Sequence, residues 1–318
     1  MSSARAFGKL ILIGEHAVVY GCPAIAAGID KGARAWASTI NEPSRKDAES
    51  HLSLGVSEVT ADDSSETSKA FRALLEPIYA ARRERTPLKV EVALDLPAGV
   101  GLGASAAIAV AIARAACEAL GLIPDDRLLL RAANAWESVF HGNPSGVDVA
   151  AAMAQVPIWF VRGSAPRPIP CALPLCLAVA LAGPPAATHR MVEQVAELRE
   201  RRPISFDQAL DRVNALAERA KHAIAAGDLR ELGRCFDENQ RELEGFGVST
   251  AELEKACYLA RGAGALGAKL TGAGGGGAVI ALCDGPAKPV LDAWSREGIQ
   301  AFEAQVRSSP SPPTPEAS

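Results

Sequence analysis

Three glycines at positions 99, 101 and 103 stand directly before Ser105 and a stretch with almost no polar side chains. Glycine lets backbone N–H groups approach a large anion closely, and it adopts backbone angles that other residues avoid. A helix that begins at such a loop adds unpaired N–H donors and the positive end of its dipole. The segment therefore favours a phosphate-binding loop, although a tight turn into a packed helix would leave the same pattern.

Two carboxylates, Glu137 and Asp148, flank a Pro-Ser-Gly turn at residues 144–146. We place Glu137 on a helix and Asp148 in a loop, so that the turn could bring both to one pocket. There one carboxylate could hold a divalent metal and the other could meet a substrate hydroxyl. A capping Asp and an exposed helical Glu are the simpler alternative.

The N-terminal segment "GKLILIGEHAVVYG" carries Lys9 on or beside an apolar strand, and Glu15 and His16 follow in a loop. Taken alone, a lysine in this position is usually a surface residue, and a loop histidine usually has no catalytic role. These three residues gain significance only in combination with the other segments.

A second glycine-rich segment contains the pattern GxGxxG at Gly272, Gly274 and Gly277. The residues that follow it, "AVIAL", are typical of a strand, whereas a dinucleotide-binding fold needs this pattern to open a helix. We therefore reject a dinucleotide site and expect a glycine turn between two strands, which can pack beside the first glycine loop.

Hydrophobic periodicity predicts the elements that must position these residues. Residues 41–68 are predicted to form hairpin strands and a mobile surface loop, and residues 162–172 to contain a domain boundary. Strands that are segregated from helices indicate an α+β fold. The predicted strands cover 8–13, 23–40, 88–96, 157–161, 175–182, both ends of 267–283, and 300–306, and the predicted helices cover 68–84, 105–120, 124–140, 189–199, 205–226, 228–243, 249–262 and 286–297.

Composition argues against several classes of protein. The formal net charge of −4 provides no basic footprint for nucleic acid. The sequence contains no charge-free run of about 18 apolar residues, the length that indicates a membrane span. The N-terminus does not resemble a signal peptide. Seven cysteines without CxxC pairs are typical of reduced thiols in a cytoplasmic protein and argue against a zinc site.

Three segments, "GKLILIGEHAVVYG", "PAGVGLGASAA" and "KLTGAGGGGAVIAL", resemble the three motifs of the GHMP small-molecule kinases, in the same order. Within this superfamily, "GEHAVVYG" and "HGNPSGVD" are most similar to the mevalonate kinase family. The resemblance implies a two-lobed α+β GHMP kinase fold, with an N-terminal ribosomal-protein-S5-like lobe and a C-terminal ferredoxin-like lobe. We expect the two domains at 1–167 and 168–307, followed by a disordered tail at 308–318.

The resemblance also implies an activity, namely ATP-dependent phosphorylation of the C5 hydroxyl of (R)-mevalonate to 5-phosphomevalonate in isoprenoid precursor biosynthesis. It implies Mg²⁺ as cofactor and ATP as co-substrate, and a homodimer is common in the family. One alternative is another GHMP kinase, acting on phosphomevalonate, homoserine or a sugar. Another is a non-catalytic ATP-binding relative, against which the intact candidate residues argue.

Residue roles follow from the same resemblance. Asp148 would be the catalytic base, and Lys9, the second catalytic residue, would lie near Asp148 and the transferred phosphate. Ser105 and Glu137 would ligate Mg²⁺. Glu15, His16 and Thr188 would contact mevalonate. The residues expected to hold the ATP phosphates are Pro97, Ala98, Gly99, Val100, Gly101, Leu102, Gly103, Ala104, Ser105, Ala106 and Ala107. One departure is Ala104, which stands where the family usually has the first serine of "GLGSSAA".

Overall fold

A computed structural model of the chain describes residues 2–40, 49–55, 57–61, 63–97, 99–142, 144–154 and 156–309. Ala98 of the predicted phosphate loop, parts of the 41–68 segment and residues 310–318 of the predicted tail lie outside these ranges. The chain divides into two compact units. The first unit comprises Met1–Lys9, Lys31–Pro97 and Gly103–Met153, and the second comprises Leu10–Asp30, Ala98–Leu102 and Ala154–Ser318. The predicted domain boundary at residue 167 stays a prediction.

Strands and α-helices are both present in the described residues. The strands are β1 (Ser2–Ile13), β2 (Ala24–Thr39), β3 (His51–Leu54), β4 (Ser57–Thr60), β5 (Leu88–Leu94), β6 (Pro157–Phe160), β7 (Arg167–Pro168), β8 (Leu175–Leu181), β9 (Gly267–Thr271), β10 (Ala278–Cys283) and β11 (Ala301–Val306). The α-helices are α1 (Glu66–Arg82), α2 (Ala104–Ala119), α3 (Asp126–His141), α4 (Val147–Met153), α5 (Thr188–Arg201), α6 (Pro203–Ala226), α7 (Leu229–Gly245), α8 (Ala251–Gly262) and α9 (Lys288–Arg296).

The first unit is built around α2. Its strands follow the order β4-β3-β5-β2, in which β3 is parallel to β5 and the other pairs are antiparallel. Nearly every residue of α2 from Ala106 to Cys117 is buried, because most are alanines and the helix packs against α1, α3, α4 and β5. A helix that is apolar on all sides is stable only inside a core, so the start of α2 is held firmly.

The second unit contains an antiparallel sheet with the order β11-β8-β10-β9. Helices α7 and α8 pack against β9, and α8 also contacts β10. In the same unit, residues 24–27 of β2 pair with β6. A short 3-10 helix, Ala17–Tyr20, follows the loop of Glu15 and His16.

The predicted elements recur with ends shifted by a few residues, but the placement of Asp148 in a loop is wrong. Asp148 lies in the first turn of α4, which begins directly after the Pro-Ser-Gly bend, where the Gly146 carbonyl accepts the N–H of Ala150 at 3.0 Å. In the sequence, the proline and glycine of the bend end the periodic pattern of the preceding helix, and they hide the start of a new helix over "VDVAAAM".

Strand β10 follows the second glycine-rich segment, as predicted. Among the described residues, no helix combines the length and apolar character that a bilayer span requires.

Candidate active site

The predicted phosphate loop, residues 97–107, leads into the N-terminus of α2. Gly99, Gly101 and Gly103 have φ angles of +76°, +78° and +72°, a region that side-chain-bearing residues rarely adopt. Gly99 and Gly101 are exposed, and Pro97, Val100, Gly103, Ala104 and Ser105 are partly exposed, whereas Leu102, Ala106 and Ala107 are buried. The loop therefore combines an accessible backbone with a firmly packed helix start, which is the arrangement that favours anion binding.

Gly103 lies directly against Lys9 in the first unit. A Cβ atom added at Gly103 would stand 3.0 Å from the Cβ of Lys9, closer than ordinary van der Waals contact. Because the side chain of Lys9 is only 6% exposed, it has little freedom to move away. The start of α2 therefore packs closely against Lys9, the last residue of β1 that belongs to the first unit.

Lys9 forms an ion pair with Asp148. The Nζ atom of Lys9 lies 2.9 Å from Oδ1 of Asp148, whose side chain is 41% exposed. A buried ammonium thus faces a carboxylate that a substrate in solution could reach. The structure brings these two predicted residues together, and their catalytic roles remain proposals.

Ser105 and Glu137 form a second pair in the same unit. The Ser105 hydroxyl donates a hydrogen bond to Oε1 of Glu137 at 2.5 Å, and it accepts one from Nε1 of Trp136 at 3.1 Å. Burial raises the pKa of Glu137, while the hydrogen bond from Ser105 lowers it. The charges of Asp148 and Lys9 also act on Glu137, so Lys9, Ser105, Glu137 and Asp148 form one cluster, called here the four-residue cluster.

Glu15 and His16 lie in the second unit. Glu15 is 1% exposed and its carboxylate forms an ion pair with Lys269 of β9, which is fully buried. His16 has a left-handed φ of +60°, and its Nε2 lies 2.8 Å from the carbonyl oxygen of Ala273. Burial lowers the pKa of His16. The predicted contact of these residues with mevalonate stays a prediction.

Thr188 is exposed at the first residue of α5, and its predicted role also stays a prediction. The start of α5 packs against residues 272–277, called here the second glycine loop. A Cβ added at Gly275 would meet Sδ of Met191 at 2.5 Å, and a Cβ at Gly277 would lie 3.8 Å from the carbonyl oxygen of Val100. Within the second unit, this loop therefore neighbours both α5 and residues of the phosphate loop.

Sequence reasoning assigned no role to Trp136, to Lys269 or to His141, whose Nε2 lies 3.8 Å from Oε2 of Glu137. Trp136 gave no signal, because its indole N–H reaches Ser105 only through the packing of α3 against α2. Lys269 gave a signal that went unused, since it is the single charged residue of an otherwise apolar strand. A buried lysine needs a counter-charge or hydrogen-bond acceptors, and a carboxylate partner could have been sought among the candidate residues.

Comparison with known proteins agrees with this arrangement. The model of the GHMP kinases N terminal domain matches residues 67–155, and the GHMP kinases C terminal model matches residues 220–300. The mevalonate kinases of Pyrococcus horikoshii and Thermococcus gammatolerans are 31% and 35% identical to the chain, each over 94% of its length, with 97% and 98% of the relatives covered. The chain belongs to the mevalonate kinases of the GHMP kinase family.

A solved structure of a mevalonate kinase supports the same assignment. The crystal structure of L. major mevalonate kinase in complex with R-mevalonate has a TM-score of 0.83 to this chain and 29% sequence identity, covering 97% of both chains. The α+β GHMP kinase fold predicted from the sequence is confirmed, as is the enzyme class. Membership of the mevalonate kinases makes this chain a kinase with ATP as its co-substrate.

Proposed function

We propose that the four-residue cluster of this mevalonate kinase transfers the γ-phosphoryl group of ATP to the C5 hydroxyl of (R)-mevalonate, giving 5-phosphomevalonate and ADP. The observation that carries the proposal is the 2.9 Å ion pair of Lys9 and Asp148 beside the hydrogen-bonded pair of Ser105 and Glu137. These residues provide a base, a cation and two oxygen donors within one compact unit. The relative that was solved with R-mevalonate supports the choice of substrate.

The pair of Ser105 and Glu137 fits Mg²⁺. Magnesium prefers oxygen ligands and usually takes one or two carboxylates, with water and substrate phosphates completing its octahedron. Bound there, Mg²⁺ would neutralise charge on the phosphate oxygens of ATP.

Asp148 accepts the proton of the C5 hydroxyl, or orients that hydroxyl, as the oxygen attacks the γ-phosphorus. The new O–P bond forms while the bond between the γ-phosphorus and the bridging oxygen breaks, and ADP leaves with that oxygen. The partial exposure of Asp148 allows the hydroxyl to reach it. The ammonium of Lys9 fixes the carboxylate and offsets negative charge on the moving phosphoryl group.

The phosphate loop holds the β- and γ-phosphates through its backbone N–H groups and the first turn of α2. Ala104 contributes no hydroxyl to this site, so Ser105 is the hydroxyl that remains at the start of the helix. The N–H of Trp136 and the carboxylate of Glu137 both bond that hydroxyl. Together they hold its oxygen in a defined orientation, and Ser105 and Glu137 would supply the oxygen ligands if Mg²⁺ bound there.

We also propose that the protein is located in the cytoplasm and forms a homodimer. All seven cysteines lie within the described residues as free thiols, and burial raises the pKa of Cys117 and Cys235 to about 11 and that of Cys257 to about 12. Protonated, buried thiols suit a reducing compartment. The homodimer rests on the habit of the family alone.

A substrate panel tests the proposed function. ADP release is measured with ATP, Mg²⁺ and either (R)-mevalonate, 5-phosphomevalonate, homoserine or galactose, and phosphorus NMR identifies the product. We expect turnover with (R)-mevalonate and a phosphate ester on its C5 oxygen. Faster turnover with any of the other three substrates, or no turnover at all, would contradict the proposal.

A further inference from the structure

A fully buried ion pair joins the N-terminal loop of the second unit to β9. Lys269 has no exposed surface, and its ammonium pairs with Glu15 and also donates to the carbonyl oxygen of Leu270 at 2.6 Å. Burial of two charges costs free energy, and the mutual attraction repays this cost only when the geometry and the additional hydrogen bonds are good. The pair of Glu15 and Lys269 is therefore better explained by a need to hold the N-terminal loop in one geometry than by a gain in folding stability.

The geometry that this pair defines is that of residues 14–16. The N–H of Gly14 donates to Oδ1 of Asn239 on α7 at 3.3 Å. His16 follows with a strained backbone, of φ +60° and ψ −47°, and its imidazole lies 2.8 Å from the Ala273 carbonyl of the second glycine loop. A non-glycine residue keeps such a conformation only when its surroundings hold it there, and Glu15 is the residue that anchors this loop to β9.

The side chain of Glu15 is poorly placed to bind substrate itself. It is 1% exposed, and the lysine beside it pairs with Oε1 of its carboxylate. Mevalonate is an anion at neutral pH, so a second carboxylate facing it would repel it. His16 is also buried, at 7% exposed, but it carries no negative charge and bonds a loop that neighbours residues of the phosphate loop.

We infer that Glu15 and Lys269 are positioning residues, which fix His16 and the second glycine loop for mevalonate binding, and that Glu15 makes no contact with the substrate. The inference rests on the proposed function for the identity of the substrate. It revises the expectation that Glu15 lines the mevalonate site. Lys269 enters the account as a residue that acts through Glu15.

A double-mutant cycle of Glu15→Gln, Lys269→Met and the double variant tests this pairing. If the two residues act as one unit, each single variant raises the KM and the calorimetric Kd for mevalonate about tenfold, and the double variant does no worse than either. The KM for ATP stays within about threefold, because uniform binding of mevalonate is what is lost. The control is Lys255→Met, which removes an exposed ion pair of the same unit with Glu297 at 2.7 Å and should leave all constants unchanged.

Three results would overturn the inference. A raised KM in Glu15→Gln with a normal KM in Lys269→Met would make Glu15 a direct ligand. If the increase in the KM for mevalonate in the double variant equals the product of the two single increases, the two residues act independently. Unchanged constants in both single variants would make the pair merely structural.

A measurement without substrate keeps the test decisive if Lys269→Met does not fold. Proton–carbon NMR of histidine-labelled protein resolves the His16 ring, which is assigned by its loss in His16→Asn. In substrate-free Glu15→Gln we expect this resonance to shift, and an unmoved resonance would overturn the inference. If the wild-type protein proved inactive on mevalonate while the resonance still shifted, the proposed function would fail and the positioning role would stand.

Discussion

Gly103 leaves just enough space for Lys9. A Cβ atom added at Gly103 would stand 3.0 Å from the Cβ of Lys9 and collide with it. Lys9 in turn holds Asp148 through a 2.9 Å ion pair. The bare backbone at the start of α2 therefore makes room for the lysine, and in the proposed mechanism it also leaves the loop open to phosphates. Charges that are fixed before the substrate arrives need little reorganisation during the reaction, which is how electrostatic catalysis gains its effect.

Gly103→Ala tests this close approach. The new Cβ would displace Lys9 from Asp148, and misplacement by about 1 Å can cost on the order of 100-fold in rate, so we expect kcat to fall at least about tenfold. Gly121→Ala is the matched control, because Gly121 has a similar φ of +71° with open space around its Cβ position. Both variants should lose about 1 kcal/mol of stability through backbone strain, and equal kcat values for the two would contradict the account.

Glu137→Gln tests the metal site. The change removes a charged oxygen ligand, so the Mg²⁺ concentration for half-maximal rate should rise at least about tenfold. Glu118→Gln, on the exposed side of α2, serves as control and should behave like the wild type. Steady-state rates over a Mg²⁺ titration at saturating ATP provide the measurement, and an unchanged metal dependence would remove Glu137 from the metal site.

His16 gives a pH dependence of stability. Burial lowers the pKa of His16 in the folded state, whereas an unfolded histidine titrates near about 6.5. Below that pH the unfolded chain binds a proton that the folded chain does not, so stability is present above about pH 6.5 and is lost as the pH falls, by up to about 1.4 kcal/mol per pH unit.

His16→Asn should therefore lose less stability than the wild type when the pH falls from about 7.5 to about 5. Any loss of stability from the backbone of this position is the same at every pH, and all other titrating groups are shared, so the difference between the pH profiles isolates His16. Denaturant unfolding at a series of pH values measures it, with His222→Asn on the exposed surface of α6 as control. Parallel pH profiles for wild type and His16→Asn would rule out the buried neutral imidazole.

Much of this fold could be predicted because the signals are local. The apolar run of α2, the glycine at its start and the alternation of β5 are visible in short windows of sequence. The Pro-Ser-Gly bend is a strong local signal that ends the preceding pattern and predicts a loop at Asp148. The helix that follows has seven residues, too few to establish a period of its own. Local rules lose their accuracy where one element ends and the next begins at once.

The candidate site was predicted for a different reason. The Pro-Ser-Gly turn alone linked Glu137 to Asp148, but Lys9 and Ser105 are far from them in the sequence, and only the resemblance to known kinases joined all four before the structure placed them in one cluster. Trp136 belongs to no motif, and Lys269 opens the third motif without any sign of its role there; their partners lie 31 and 254 residues away. Contacts of that separation depend on tertiary packing, which single-sequence periodicity does not encode.

The most direct test of the central claim is the turnover of Asp148→Asn, a change that keeps the shape of the side chain and removes its charge. If Asp148 handles the proton of the substrate hydroxyl, kcat for (R)-mevalonate falls by about 100-fold or more, while ATP affinity measured by calorimetry stays within about threefold. A variant that retains more than about a tenth of the wild-type kcat, a loss far smaller than general-base catalysis supplies, would contradict the account.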